Sequence, residues 1–274
     1  MKKNLIILAC TSALLSGCAA EFNKVYKSTD YDYKYEYAKE SFASGKFNRA
    51  ISLLQELVTI KKGSDDGEEC LYMLGMAEYC ARDYESASAT FKKYFNTYPK
   101  GLYAEQASFY IGQSLYQSTP EPRLDQTMTV GAINAYQQFL DIFPDSPLRK
   151  QAQNRLFDLQ DKLVQKEYLS AKLYYNLGDY FGNCTNGGSN YEACIITAQN
   201  ALKTYPYTKM REDFSILIMK SKFELAQQSV EAKRLDRFRD AEDECYGFIN
   251  EFPESNMKKT AEKYIRLCKK VTKD

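Results

Sequence analysis

The chain predicts an all-α solenoid of about five helical hairpins, closed by a C-terminal capping helix. Three observations carry this. Ala38, Gly75 and Gly112 recur at a step of 37 residues, as do Tyr35, Tyr72 and Phe109, and Phe42, Tyr79 and Tyr116. A proline follows a small residue by twelve positions four times, from Ala87 to Pro99, Ala132 to Pro144, Cys194 to Pro206 and Ala241 to Pro253. Strand-type alternation is nearly absent. A fixed period of this length marks stacked supersecondary units that bury their faces against one another.

The N-terminus comes first. Lys2 and Lys3 precede a mostly apolar run from Asn4 to Leu15, which suits a secretory signal better than a membrane span of about 30 Å. The run ends in Leu15-Ser16-Gly17-Cys18, which resembles a bacterial lipobox. The resemblance implies removal of residues 1–17 as a signal peptide and acylation of Cys18 as the lipid attachment site. Without Asp beside Cys18, it favours the outer membrane, on its periplasmic face. Residues 18–30 are expected to be a lipidated Cys and polar tether, reaching at most about 40 Å when extended. No later stretch has the length and apolarity of a transmembrane helix.

The hairpins follow. Residues 31–145 hold repeats 1–3. Within each, a small residue lets the two helix axes approach and the proline stops the second helix. Gly45 and Asp83 punctuate turns. Ile51, Leu54, Leu57 and Val58 make one apolar face; Phe91, Tyr94 and Phe95 make another. The third hairpin carries an insertion near 118–128 with Pro120 and Pro122, expected as a loop.

Residues 146–274 hold repeats 4–5. Ser146 to about Phe181 is expected as one long connecting helix of about 50 Å, with a Leu156, Leu159, Leu163 stripe giving way to Tyr168, Ala171 and Tyr175. A second insertion near 183–189 contains Asn186-Gly187-Gly188-Ser189. Helices are expected near 190–205, 208–229 and 234–251, with the capping helix near 256–271.

Composition restricts the chemistry. With no histidine, Ser-His-Asp and Cys-His catalysis and histidine metal ligation are excluded. Lys plus Arg is 37 against 36 Asp plus Glu, which lacks the basic excess of a nucleic-acid partner. No constellation suggests an enzyme, a cofactor or a metal. Of the cysteines, Cys70 and Cys80 share one helix about 15 Å apart, too far for a disulfide. Cys184 with Cys194 and Cys245 with Cys268 are conceivable pairs; most are expected as buried small hydrophobes. The mixed charges from Glu231 to Asp243 suggest a solvated face. Asn183-Cys184-Thr185 matches a glycosylation sequon only by pattern.

Gly75, Tyr84, Ala87, Phe91 and Pro99 resemble the tetratricopeptide small–aromatic–small–aromatic–proline pattern, with period 37 rather than 34. The fold expected is thus tetratricopeptide-like. The lipobox, the five hairpins and the long helix together are similar to the BamD family. The middle of the chain carries that likeness: Phe143-Pro144-Asp145-Ser146, Arg155-Leu156, Leu159, Asp161, Leu163, Glu167-Tyr168, Ala171, Tyr174-Tyr175 and Gly178. The resemblance implies a non-enzymatic outer-membrane lipoprotein of the β-barrel assembly machinery. It would bind the POTRA region of BamA and other assembly-complex subunits, and help receive unfolded outer-membrane β-barrel substrates. A tetratricopeptide lipoprotein adaptor of another envelope or secretion complex shares the same fold and anchor.

In such hairpins the first helix lines a groove, which makes Tyr35, Phe42, Tyr72, Tyr79, Phe109 and Tyr116 candidate peptide- or partner-binding residues. Inter-repeat packing asks for the same aromatic columns, and both readings stand. Arg234, Arg237 or Arg239 could pair with an acidic POTRA surface; the sequence selects none.

Overall fold

A computed structural model describes residues 20–180 and 188–273. The signal peptide, Cys18, Cys184, the sequon and most of the second insertion lie outside the described residues. Every regular element among the described residues is helical. They fall into two compact units. Unit 1 comprises the described residues up to Pro120 with Gln126–Leu159; unit 2 comprises Glu121–Asp125 and the described residues from Gln160 onward.

Unit 1 opens with α1 (20–26), within the segment expected as a polar tether. Phe22, Val25 and Tyr26 recur at helical spacing, Val25 is fully buried, and the Arg49 guanidinium lies over Phe22. The apolar stripe makes docking on the core more favourable than extension into water. Three hairpins follow: α2 (Tyr31–Ala43) with α3 (Phe47–Ile60), α4 (Asp65–Cys80) with α5 (Tyr84–Thr97), and α6 (Ala104–Gln117) with α7 (Thr127–Ile142). The first insertion is the loop between α6 and α7, as expected.

Helix α8 (Arg149–Leu177) begins in unit 1 and continues into unit 2. It is shorter than expected at both ends. Pro147 keeps Ser146 out of the helical region, and Gly178 ends the helix at a φ of +53°. Its stripe changes where expected, with Leu156 and Leu159 packing in unit 1 and Tyr168, Ala171 and Tyr175 in unit 2, but Val164 and not Leu163 is the buried residue between them. Unit 2 then contains α9 (Asn190–Thr204), α10 (Arg211–Gln227), α11 (Glu231–Glu251) and α12 (Lys258–Thr272). No described helix is long and apolar enough to cross a membrane.

The repeated residues have defined physical tasks. A Cβ on Gly75 would lie 2.8 Å from the Phe91 ring, and one on Gly112 would lie 2.9 Å from Tyr136. The missing side chain is what lets the second helix drop its aromatic onto the first. Tyr98, Phe143, Tyr205 and Phe252 end α5, α7, α9 and α11 with ψ near 65°, because the following proline disfavours helical backbone there. After three of those prolines a hydroxyl continues the punctuation. Ser146, Thr208 and Ser255 accept from the backbone N–H two residues on at 3.0–3.1 Å.

Gly45 and Arg82, one repeat apart, both hold left-handed backbone, at φ +72° and +66°. Asp30 and Asp83 cap α2 and α5 by accepting from Tyr33 and Ser86 N–H. The charged face of α11 is largely exposed, as its mixed charges suggested, with Arg234 near Glu231 and Arg239 near Asp236 along it. Cys70, Cys194, Cys245 and Cys268 are buried free thiols; Cys80 is exposed. Cys245 and Cys268 are therefore not bridged.

Candidate functional site

Unit 1 contains a cleft of about 280 Å³, lined by Tyr72, Tyr79, Gln106, Phe109, Tyr110, Gln113, Leu148 and Gln151. Three elements build it. Helix α4 supplies Tyr72 and Tyr79 two turns apart, hence on one face. Helix α6 supplies Gln106, Phe109, Tyr110 and Gln113 at positions i, i+3, i+4 and i+7. Leu148 comes from the turn just before α8 and Gln151 from its first turn.

Phe109 is 3% exposed and forms the floor. Its ring meets Tyr136 and Phe139 edge-on at 5.7 and 5.5 Å. Tyr72 stacks on Tyr103 at 4.3 Å and 6° and also meets Phe91 and Tyr94. Tyr79 and Tyr110 meet edge to face at 5.1 Å. Gln113 orders the polar side: its Nε2 donates to the Tyr79 hydroxyl at 3.3 Å, and its Oε1 accepts from Tyr136 at 2.7 Å. Because the Tyr79 oxygen accepts there, its proton stays available for donation. Gln106 and Gln151 are exposed at the rim.

No ionisable carboxylate, lysine or arginine lines the cleft. Burial, with neighbouring Tyr110 and Tyr103, pushes the Tyr72 hydroxyl well above the usual tyrosine range, and burial raises Tyr110 as well. These phenols therefore stay neutral at physiological pH. A cleft of neutral rings edged by amides suits an extended segment bearing one aromatic or aliphatic side chain. The rings supply dispersion and edge-to-face contacts, and the glutamines match backbone N–H and C=O groups. Among the described residues, nucleophilic chemistry has no support in the thiols. Burial pushes Cys70 and Cys245 up to about 12 and Cys268 up to about 11, and raises Cys80 and Cys194. They remain protonated and weakly nucleophilic.

Of the six candidate aromatics, the structure brings Tyr72, Tyr79 and Phe109 together. Tyr35 is buried elsewhere, donating to Glu69 at 2.9 Å with Lys39 and Lys61 over its ring. Phe42 packs on Phe47 at the first hairpin turn. Tyr116 joins α6 to α8: its hydroxyl donates to Asp158 at 3.2 Å and accepts from Arg155, whose guanidinium lies 4.5 Å from the ring. The three glutamines and Tyr110 were missed because they occupy no repeated column. Their one sequence signal is the seven-residue spacing of Gln106 and Gln113 around Phe109-Tyr110.

Comparison with known proteins adds an independent line. A family model described as "YfiO: Outer membrane lipoprotein" matches residues 28–187. The chain is 21% identical over 176 residues to "Outer membrane protein assembly factor BamD" of Caulobacter vibrioides, covering 63% of this chain and 58% of that protein. It is 25% identical over 197 residues to "Putative outer membrane protein assembly factor BamD" of Aquifex aeolicus, covering 70% and 59%. The matched region thus spans less than two thirds of either relative. A solved structure, "TPR2AB-domain:pHSP90-complex of yeast Sti1", aligns with TM-score 0.43 and 14% identity over 89% of this chain and 84% of that one. The tetratricopeptide-like assignment rests on the hairpins themselves.

Proposed function

Because the chain belongs to the YfiO family of outer membrane lipoproteins, we propose that it is an assembly factor for outer-membrane β-barrel proteins. In this reading it is anchored through Cys18 on the periplasmic face, docks the POTRA region of BamA, and receives unfolded barrel segments. It carries out no covalent chemistry. Family membership and the assembly-factor names of both relatives support the role.

The aromatic–amide cleft is the observation that carries the substrate step. A β-strand of an unfolded barrel presents alternating apolar side chains and unpaired backbone polar groups. One side chain would enter over Phe109 and against the paired rings of Tyr79 and Tyr110, while Gln106 and Gln151 meet the adjoining backbone. The cleft sits near the lower end of the ~300–1,000 Å³ typical of small-ligand pockets, room for about one large side chain. Binding by such a site is weak and reversible, which suits a protein that passes its client onward.

The test is titration of a fluorescent peptide copying the last strand of an outer-membrane barrel. Gln106→Ala with Gln151→Ala should weaken binding at least about fivefold, since two hydrogen bonds contribute about 0.5–1.5 kcal/mol each. Both side chains are exposed, so the melting temperature should not change. Equal affinity in the variant would remove the cleft from the substrate step.

A further inference from the structure

Unit 2 has a second cleft, larger than the first, of about 460 Å³, between the Glu121–Asp125 segment and one face of α8. We infer that it docks an acidic, leucine- or phenylalanine-bearing segment of a partner protein, a role that does not depend on the cleft of unit 1.

Five of the six α8 residues on this cleft share one helical face, with Lys172 at its edge. Lys166, Leu169, Ser170, Leu173 and Asn176 follow at i, i+3, i+4, i+7 and i+10, about 15 Å of helix. The opposite face, with Val164 and Ala171, is buried in the unit 2 core. Leu173 is 57% exposed, as is Leu124 on the facing segment. An apolar stripe thus remains on a helix whose packing requirement is already met by its other side.

Three cations line the cleft, Arg123, Lys166 and Lys172; Glu121 and Asp125 flank Arg123 on the same segment but are not among the lining residues, and each has an interaction of its own. In a chain with 37 cations and 36 anions, that lining is a local departure. The carboxylates of α8 in unit 2 are directed to other groups. Asp161 lies 3.9 Å from Lys209, and Glu167 acts electrostatically on Tyr205. Lys166 donates to the Leu124 carbonyl at 3.0 Å, which ties the two walls together and leaves two ammonium protons for a carboxylate.

Charge spacing selects the occupant. Lys166 and Lys172 are six residues apart on α8, about 9 Å along the axis, with Arg123 on the other wall. A lipid brings one charged headgroup to one end of an acyl chain and can satisfy only part of this arrangement. A polypeptide carries carboxylates at several points, and about four or five extended residues span 15 Å. Acidic side chains flanking two apolar ones complement cations flanking Leu169 and Leu173.

The experiment is selection of a random heptapeptide phage library on the purified full-length protein in neutral detergent, counter-selected on the Arg123→Glu/Leu173→Asp variant. Both positions are exposed, and circular dichroism with the melting temperature verifies that the variant folds. The expected result is enrichment of peptides with two or more carboxylates around two apolar residues. Their affinity should fall at least tenfold in the variant and fall again in high salt. Failure to enrich any peptide, enrichment of basic or uncharged peptides, or equal binding by the variant would overturn the inference. Loss of retained phosphatidylglycerol in the variant, with no acidic peptide enriched, would overturn it in favour of a lipid site.

Discussion

Tyr72 and Tyr79 come from equivalent columns of one helix, yet they do different work. Tyr72 is clamped among Phe91, Tyr94 and Tyr103, so Tyr72→Ala should cost about 3 kcal/mol of stability, read as a lowered urea midpoint. The exposed Gln106/Gln151 pair should instead move peptide affinity with stability unchanged. At the anchor, Cys18→Ala should move the protein from the membrane fraction to the soluble fraction; unchanged fractionation would refute lipid attachment. The 37-residue repeat made Tyr72, Tyr79 and Phe109 legible, because equivalent positions in stacked hairpins face the same way. It misled at Tyr35 and Tyr116, where neighbours outside the repeat capture the hydroxyl: Glu69 for one, Arg155 and Asp158 for the other. A glutamine that occurs once in a column leaves no periodic trace, so the polar half of the cleft became visible only in three dimensions.

Hairpins are held by a few punctuation residues, and these were the most legible features of all. Each aromatic–proline pair stops a helix where the backbone argument requires. The tether was misjudged because seven residues are too few for a convincing period, although Phe22 and Val25 do mark a buried stripe. The start of α8 was misjudged where Pro147 acts as a second stop close to Pro144. Arg82 holds a left-handed conformation that its repeat equivalent, Gly45, adopts without strain. Arg82→Gly should therefore raise stability by about 0.5–1 kcal/mol in urea unfolding; a loss would show that the Arg82 side chain contributes more than its backbone costs. Gly75→Ala, which drives a Cβ into the Phe91 ring, should cost about 1–3 kcal/mol.

Across the whole molecule, ionisation follows from composition and burial together. No histidine is present to titrate near neutrality, so the melting temperature should be nearly flat between about pH 6 and 8. Burial raises Tyr35, Tyr72, Tyr94 and Tyr136, and pushes Cys70, Cys245 and Tyr264 up to about 12. An acid whose folded pKa is raised holds its proton more tightly when folded. Its stabilisation is complete below the unfolded pKa, about 8.5 for Cys and 10 for Tyr, and is lost as pH rises beyond that. Melting temperature should thus fall steeply above about pH 9. A maximum near pH 10 would contradict the burial of these groups.

The proposed role itself is tested by depleting the protein in its native host and quantifying mature β-barrel proteins in the outer membrane. Their levels should fall together while other lipoproteins stay at the outer membrane, and the wild-type gene should restore them more fully than the Gln106→Ala/Gln151→Ala form. Unchanged barrel levels after complete depletion would contradict an assembly role.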